Sequence, residues 1–342
     1  KMLRVRAPLR IGLAGGGTDV PPFSKETGGC VINTTIDKYA YAFLEETTNN
    51  KIHFINQDIR NENIYSFSQY PEIGREKSLI AAVYTFFCKK YNLNKPKSLK
   101  IQTFCEVPMG SGLGSSSTLV ITLCELMNQF FKSRLNRFEI SELAFKIERE
   151  ILGFAGGYQD YYSAAIGGFN FMKFGPDKNL EIETLSLEKR FRLELESSMI
   201  LAYTGLSRVS AKIIESQREG IIKQSEQTLK NLLEMKKQTY EMREILLSGD
   251  INKFKELINL GWEKKKNTSP FISNEKLDFL IKSCFDAGAE ACKISGAGGG
   301  GFMIIITKPE KRHALNTFLK ANSIITMNFT FTEEGSTFWE KY

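Results

Sequence analysis

The sequence predicts an α+β protein made of two domains. Its 342 residues exceed one ordinary domain, because domains usually contain about 100–200 residues. Strand-like stretches alternate with helices in the first half, whereas long helix-forming stretches dominate the second half. This order favours α+β over a doubly wound parallel sheet. We place the boundary near Gly167, which gives an N-terminal domain of residues 1–166 and a C-terminal domain of residues 167–342.

Residue periodicity predicts the elements of the first half. Alternating β-branched and aromatic residues are typical of strands, and apolar residues at helical spacing are typical of helices. Strands are predicted over residues 2–13, 31–44, 51–56, 99–107 and 167–174. Helices are predicted over residues 79–91, 115–131, 139–152 and 160–165.

The second half contains fewer strands and longer helices. Strands are predicted over residues 198–203, 291–294, 302–307 and 324–331. Helices are predicted within residues 210–248 and over residues 251–266, 274–287 and 309–319. The run Lys264–Lys265–Lys266 ends one of these helices. We interpret it as a solvated helix face rather than a nucleic-acid site, because no aromatic residues are interleaved with a wider basic stripe.

The composition is that of a globular enzyme, with 42% apolar and 25% charged residues and a formal charge of +7. The six cysteines form no C-x-x-C pair and most lie in apolar stretches, which indicates buried thiols in a reducing compartment. No apolar run approaches the roughly 18 residues of a membrane span. We therefore expect a cytoplasmic protein that binds neither membrane nor nucleic acid. Two isolated histidines give little support to a zinc site or a Ser-His-Asp triad.

The strongest local pattern is a loop rich in glycine and serine, which we call the phosphate loop (residues 108–117, PMGSGLGSSS). It falls between a predicted strand and a predicted helix. Glycines let backbone N–H groups approach an anion closely, and a helix N-terminus stabilises phosphate. The loop lacks the lysine of a Walker A loop and the G-x-G-x-x-G spacing of a dinucleotide site. Its candidate phosphate-binding residues are Gly110, Ser111, Gly112, Leu113, Gly114, Ser115 and Ser116.

Two further glycine clusters lie before and after the phosphate loop in the sequence. We call residues 15–17 the first glycine segment and residues 296–301 the third glycine segment, the phosphate loop being the second. Glycine is costly unless the backbone needs it. Three such clusters in one chain therefore predict several loops that converge on one ligand.

Residues 7–10 (APLR), the phosphate loop and residues 293–299 (KISGAGG) resemble, in this order, the three signature segments of the GHMP kinases. The resemblance spans nearly the whole chain. It implies a two-domain GHMP kinase fold with the active site in the cleft between the domains. It also implies that the terminal phosphoryl group of ATP is transferred to a hydroxyl of a small metabolite.

The resemblance also implies the roles of particular side chains. Asp160, in the segment GGYQD, matches the family's catalytic aspartate, and Arg10 matches the basic residue that lies near it. Glu148 stands twelve residues before Asp160 and, with Ser116, matches the Mg²⁺ ligands of the family. Glu150 is the alternative metal ligand. Phosphoryl transfer needs these parts because a metal must neutralise charge and a carboxylate must orient the attacking hydroxyl.

Residues 7–23, 156–170 and 204–208 are similar to the branch of the family that phosphorylates D-glycero-D-manno-heptose 7-phosphate at its anomeric hydroxyl. That branch makes the 1,7-bisphosphate during GDP-heptose biosynthesis. Tyr158 and Tyr161 stand where the branch usually has lysine and glutamine. We expect Asp19 to hold a sugar hydroxyl and Arg208 to hold the distal phosphate. The full set of expected substrate-binding residues is Gly17, Thr18, Asp19, Gly157, Arg208, Gly298 and Gly299.

Other functions stay open at this point. One is another sugar 1-kinase of the family, such as a fucose-type kinase, whose substrate lacks a phosphate. The other is a non-catalytic sensor of ATP and sugar, which the presence of both Asp160 and Ser116 disfavours. The sequence also leaves open whether the chain is a monomer or a homodimer.

Overall fold

The computed structural model describes residues 2–93, 95–176, 179–205 and 210–341. Its strands are β1 (Met2–Ala14), β2 (Gly29–Glu46), β3 (Lys51–Asn56), β4 (Asn61–Ser66), β5 (Leu99–Cys105), β6 (Phe169–Phe174), β7 (Leu180–Leu185), β8 (Met199–Tyr203), β9 (Ala291–Ile294), β10 (Phe302–Ile306), β11 (Ile325–Met327), β12 (Phe331–Thr332) and β13 (Thr337–Glu340). Its α-helices are α1 (Phe23–Glu26), α2 (Leu79–Lys90), α3 (Ser115–Phe131), α4 (Arg137–Phe145), α5 (Gln159–Ile166), α6 (Lys189–Ser198), α7 (Ser210–Ile222), α8 (Glu226–Ser248), α9 (Ile251–Lys266), α10 (Glu275–Asp286) and α11 (Arg312–Ala321).

The larger sheet has nine strands within the described ranges. Its main path is β13-β1-β2-β5-β3-β4, with β6 and β12 also on β2, and β7 on β6. The long strand β2 serves two partners, because Gly29–Thr34 pairs with β6 whereas Ala40–Glu46 pairs with β5. Strands that follow residue 166 thus pair with strands that precede it. The division into domains of residues 1–166 and 167–342 stays a prediction.

The middle of β1 explains why the catalytic candidates lie where they do. Residues 2–6 alternate between partly exposed and buried, as in a strand with one covered face, whereas residues 7–11 are all buried. Helices α3, α5, α8 and α9 all contact β1. Arg10 therefore projects from a strand with protein packed around it, and it is only 5% exposed.

The smaller sheet contains, in the described part of the chain, four antiparallel strands in the order β11-β8-β10-β9. Its central strand β10 is buried at every position. Side chains of α9, α10 and α11 complete this second core. Within the described ranges, helices and sheets are therefore mixed without a regular βαβ repeat, and the predicted α+β class is confirmed.

Several elements differ from the sequence-based expectation, and β4, β7, β13 and α6 are not predicted at all. The sequence predicts one strand over residues 324–331, but this stretch contains β11 and only the first residue of β12, and these two strands belong to different sheets. The chain crosses from the smaller sheet to the larger sheet between β11 and β12. Phe329, which lies in this connection, is buried. The helix predicted over residues 139–152 begins as α4 and continues as a π-helical segment, Lys146–Ile151.

All six cysteines lie among the described residues, have buried side chains and form no disulfide. This agrees with the interpretation of buried thiols. In the same residues, no helix has both the length and the apolar character that crossing a membrane requires.

Candidate active site

A cavity of about 610 Å³ lies where the three glycine-rich regions meet. It is lined by Gly16 and Gly17 of the first glycine segment, by the phosphate loop, and by Gly296 and Ala297 of the third glycine segment. Side chains of β1, α5, α7, α9 and the π-helical segment complete its wall. The expected convergence of the three regions on one space is therefore observed.

The phosphate loop presents the start of α3 to this cavity. Gly114 precedes the helix with φ of 73°, a left-handed conformation that glycine adopts without steric cost. Ser115, Ser116 and Ser117 form the first turn of α3 and line the cavity. The first N–H groups of a helix have no partner within the helix, and they attract anions. The loop can therefore accept a phosphate group.

Hydrogen bonds from β1 and from residues on either side of the third glycine segment hold the phosphate loop in place. Arg10 N donates to Leu113 O at 3.1 Å, which ties the loop to β1. Phe302 N donates to Ser111 O at 2.7 Å, and Ser295 Oγ donates to Gly112 O at 2.9 Å. The third glycine segment also packs closely, since a Cβ on Gly301 would lie 2.3 Å from Ser111 O. Both halves of the sequence thus build the same loop.

Asp160 and Arg10 form an ion pair beside the phosphate loop. Arg10 Nε lies 2.6 Å from Asp160 Oδ1, and Arg10 Nη1 donates to Gly112 O at 2.8 Å. The Asp160 side chain is 19% exposed, so its carboxylate still faces the cavity. A Cβ on Gly114 would lie 3.2 Å from Asp160 Cγ, which measures how closely the carboxylate approaches the loop. A carboxylate and a cation are therefore fixed next to a phosphate-accepting helix end.

Glu148 contacts the first turn of α3 through Ser116. Its Oε1 accepts from Ser116 Oγ at 2.6 Å, and its Oε2 accepts from Tyr161 Oη at 2.6 Å. The carboxylate is 1% exposed and lines the cavity, whereas the alternative Glu150 is exposed and does not line it. The π-helical segment positions Glu148, and such segments often occur at functional sites.

Arg149 is a cation near the phosphate loop that the sequence analysis did not identify. Its Nη2 donates to Ser117 Oγ at 3.0 Å, and its Nη1 donates to Ala155 O at 2.8 Å and lies 3.6 Å from Glu148 Oε1. A Cβ on Gly156 would fall 2.2 Å from Arg149 Nη2. Glycine at position 156 is therefore required for the guanidinium to take this place.

The donor atoms for a metal are few. Among the described residues, no group of three or more His, Cys, Asp and Glu side chains is arranged to hold a metal ion. Ser116 and Glu148 supply a hydroxyl and a carboxylate at one point of the cavity wall. Such a set suits a hard cation that takes its other ligands from water and from substrate phosphates.

Asp19 lines the same cavity and lies near Asp160. Its carboxylate accepts from Gly17 N and Gln159 N, each at 3.2 Å, and from Gln159 Nε2 at 3.4 Å. Burial raises the pKa of Asp19 above its usual value and the nearby Asp160 adds to this, while the Gln159 backbone hydrogen bond opposes it. A Cβ on Gly157 would lie 2.0 Å from Asp19 Oδ2, so any larger residue there would displace this carboxylate.

Several predicted residues support the cavity without lining it. Thr18 is buried and exchanges hydrogen bonds with the Cys30 backbone. Ser111 and Leu113 are buried residues of the phosphate loop itself. Gly298 and Gly299 pack against Ile272, whose O accepts from Gly299 N at 2.7 Å. Gly110, Gly112 and Gly157 do line the cavity, and Arg208 lies outside the described residues.

The interpretation of the Lys264–Lys265–Lys266 run as a solvated face is wrong for its central residue. Lys265 is 5% exposed and lines the cavity. The helical spacing of α9 indicates that Lys265 lies on the buried face. Three apolar residues and Lys265 follow one another at steps of four, four and three residues, and all four are buried: Phe254, Ile258, Trp262 and Lys265. The prediction of a solvated face is based on the charge of the three lysines and does not use this spacing.

Comparisons with known proteins agree with this geometry. Residues 78–168 match the family described as GHMP kinases N terminal domain, and residues 242–321 match GHMP kinases C terminal. The chain is 34% identical over 339 residues to the D-glycero-alpha-D-manno-heptose 7-phosphate kinase of Campylobacter jejuni, covering 99% of each chain. It is 27% identical to the bifunctional fucokinase/GDP-fucose pyrophosphorylase of Arabidopsis thaliana, over 90% of this chain and 30% of that protein.

A solved structure is similar over the same extent. The crystal structure of a D-glycero-D-manno-heptose 1-phosphate kinase from Bacteroides thetaiotaomicron matches with a TM-score of 0.84 and 34% identity, covering 99% of both chains. Both halves of the sequence, the fold and the three glycine-rich regions thus point to the same family. The chain belongs to the GHMP kinase family.

Proposed function

We propose that this kinase transfers the γ-phosphoryl group of ATP to the anomeric hydroxyl of D-glycero-D-manno-heptose 7-phosphate, which yields the 1,7-bisphosphate. The observation that carries the proposal is the Arg10–Asp160 pair, fixed at 2.6 Å beside the phosphate loop and facing the same cavity as Asp19. Similarity to two proteins named as heptose phosphate kinases, each over 99% of the chain, supports the acceptor.

In this proposal the phosphate loop binds the phosphates of ATP. Its glycines admit the phosphates to the backbone N–H groups, and the α3 N-terminus contributes its positive end. Arg149 lies 3.0 Å from Ser117 Oγ and adds a fixed positive charge next to this turn. Such charges act on the transferring group, where negative charge is spread over three oxygens.

The acceptor hydroxyl is oriented by carboxylates. Asp160 accepts the proton of the attacking hydroxyl, and Arg10 holds the carboxylate through its Nε. Asp19, itself held by two backbone N–H groups, accepts from a second hydroxyl of the sugar. Two fixed carboxylates define the orientation of the sugar ring, because each accepts a hydrogen bond from a different hydroxyl.

Ser116 Oγ and the Glu148 carboxylate would hold Mg²⁺, which would neutralise charge on the phosphates of ATP when bound. The pair fits this ion, since Mg²⁺ in kinases usually takes one or two protein carboxylates together with water and substrate phosphates. The two side chains already lie 2.6 Å apart at the wall of the cavity. Tyr161 donates to the second Glu148 oxygen and thereby orients the carboxylate.

The substrate is tested by ADP release with Mg-ATP and a panel of acceptors. The panel contains heptose 7-phosphate, heptose 1-phosphate, mannose, fucose, galactose and mevalonate. Turnover with heptose 7-phosphate, with new phosphorus at the anomeric position by ³¹P NMR, is the expected result. Turnover with fucose alone would favour the fucose-type kinase, and turnover with heptose 1-phosphate alone would move the reaction to the other end of the sugar.

Asp160→Asn tests the proposed base. The variant keeps the shape of the side chain but not the charge, so we expect kcat to fall by about 10²–10⁴ while ATP still binds. Glu150→Gln is the matched control, because it makes the same change on an exposed side chain outside the cavity. An Asp160→Asn protein with nearly unchanged kcat would remove Asp160 from the chemistry.

A further inference from the structure

The side-chain amide of Gln217 lies in the cavity wall and has no part in the transfer step described above. Gln217 belongs to α7, is 4% exposed and lines the cavity. A Cβ on Gly17 would lie 3.6 Å from both Gln217 Nε2 and Gln217 Oε1. Gly17 N in turn donates to the Asp19 carboxylate at 3.2 Å. The amide therefore lies beside the segment that holds the proposed sugar-binding carboxylate.

A hydrogen bond to Thr268 fixes which end of this amide faces the protein. Thr268 Oγ1 donates to Lys265 O at 2.7 Å, because a carbonyl oxygen can only accept. A hydroxyl has one proton, so Thr268 Oγ1 can only accept from its other neighbour. Gln217 Nε2 is that donor, at 2.6 Å. The reversed amide would bring two acceptor oxygens together at this distance, so Nε2 must face Thr268.

This orientation leaves Gln217 Oε1 as an acceptor for a ligand. Within the described ranges Oε1 accepts no hydrogen bond, and it is not among the buried atoms that are sealed from solvent. Polar atoms of nearly buried side chains usually have a partner, because an unmade hydrogen bond is costly. Since Gln217 lines the cavity, the missing partner is a donor that enters the cavity. Hydroxyl groups of a sugar are donors of this kind.

We infer that Gln217 is a specificity-determining residue for the acceptor, and that its Oε1 accepts a hydrogen bond from one hydroxyl of the sugar. The inference rests on the proposed function in one respect, namely that the acceptor is a sugar with several hydroxyls. A site built to bond a substrate hydroxyl rejects analogues that lack it, because the protein group then stays unpaired. Gln217 thus adds a neutral acceptor to the carboxylate of Asp19. Thr268 acts through Gln217 and is a positioning residue.

The test measures kcat/KM for heptose 7-phosphate and for its 2-, 3-, 4- and 6-deoxy derivatives, in wild type and in Gln217→Met. Methionine keeps the length of the side chain and removes its acceptor oxygen. With heptose 7-phosphate we expect Gln217→Met to lower kcat/KM about 5- to 150-fold, the penalty for a hydroxyl left unpaired, with KM for ATP unchanged. With one of the deoxy derivatives the ratio of wild type to variant should fall to about one, because the hydroxyl that Gln217 bonds is then absent.

Thr268→Val tests the orientation of the amide without changing Gln217. Valine keeps the shape of the side chain and removes the hydroxyl, so we expect weaker discrimination against the same deoxy derivative and unchanged discrimination against the others. Thr122→Val is the matched control. Thr122 Oγ1 also donates to the carbonyl oxygen three residues earlier, in Leu119, at 2.7 Å, and Thr122 is buried but does not line the cavity. Its discrimination should stay at the wild-type value. Should Gln217→Met not fold, this pair of valine variants decides the question.

The outcomes distinguish the inference from the function beneath it. Wild type that does not phosphorylate heptose 7-phosphate refutes the proposed function, and the comparison is then made with deoxy derivatives of the sugar that the acceptor panel identifies. Turnover with no sugar of the panel would refute both. A Gln217→Met protein that loses activity equally on the parent sugar and on every deoxy derivative refutes the bond to a hydroxyl and leaves the function standing. A rise in KM for ATP alone would assign Gln217 to the nucleotide and would also overturn the inference.

Discussion

Gly114 offers a direct test of whether the distance between Asp160 and the phosphate loop controls the reaction. The substitution is Gly114→Ala. Its Cβ would lie 3.2 Å from Asp160 Cγ, whereas carbon atoms normally pack about 3.5–4.0 Å apart. The carboxylate must therefore move by roughly 0.3–0.8 Å. If a displacement of about 1 Å costs about 100-fold in rate, this shift costs about 4- to 40-fold in kcat.

The same substitution has a backbone cost that must be separated from this effect. Gly114 has φ of 73°, and alanine in that region loses about 1–2 kcal/mol. Gly249→Ala is the matched control, since Gly249 has φ of 77° after α8 and the nearest atom to its added Cβ, in Phe191, is at an ordinary 3.5 Å. Both variants should lose a similar free energy of unfolding in urea.

Only Gly114→Ala should lose kcat with saturating ATP and acceptor. The assay is steady-state ADP release, with both proteins first shown to be folded by their urea transitions. If the two variants had the same kcat within about twofold, the approach of Asp160 to the loop would not limit catalysis, and the argument from distance would be refuted.

Three further perturbations follow from the cavity wall. Tyr161→Phe removes the hydroxyl that donates to buried Glu148 at 2.6 Å, so we expect a loss of about 1–3 kcal/mol in unfolding free energy and a higher half-saturating Mg²⁺ concentration; an unchanged Mg²⁺ dependence would contradict this. Gly157→Ala places a Cβ 2.0 Å from Asp19 Oδ2 and must displace that carboxylate. We expect kcat/KM for the sugar to fall at least about tenfold while KM for ATP stays unchanged. Equal effects on both substrates would contradict this expectation. In the folded protein the pKa of Lys293 is lowered from 10.5 to about 8. Between these pH values the unfolded chain therefore binds more protons than the folded protein. The stability of wild type relative to Lys293→Met should consequently rise from about pH 8 to about pH 10.5. A stability difference in urea that is flat with pH would rule out the burial of this ammonium.

The parts of the site that the sequence predicts are those formed by residues close together in the chain. The phosphate loop and the segment before Asp160 have distinctive local sequences, and the helix predicted at residues 115–131 is α3 with the same bounds. Glycine spacing and a helix start carry this information without any knowledge of the tertiary structure.

The parts that were missed depend on contacts between distant residues. Lys293 contacts Gly12, which lies 281 residues earlier in the sequence, and nothing in the sequence of β9 indicates where this side chain lies. Tyr161 was noted only as a departure from a branch pattern, and its bond to Glu148 depends on how α5 packs beside the π-helical segment. The strands β4, β7 and β13 and the helix α6 are also not predicted, so the missed elements are not only the shortest ones.

The bonds from Ser295 and Phe302 to the phosphate loop have a consequence for how the enzyme is made. The loop at residues 108–117 is synthesised long before these partners, and the Ser295 bond to Gly112 spans 183 residues. Contacts between residues so far apart in the chain are non-local, and non-local contacts slow folding. An unfinished chain on the ribosome thus lacks the contacts that fix its phosphate loop. The phosphate loop therefore gains its contacts with Ser295 and Phe302 only after residues 295–302 have been synthesised.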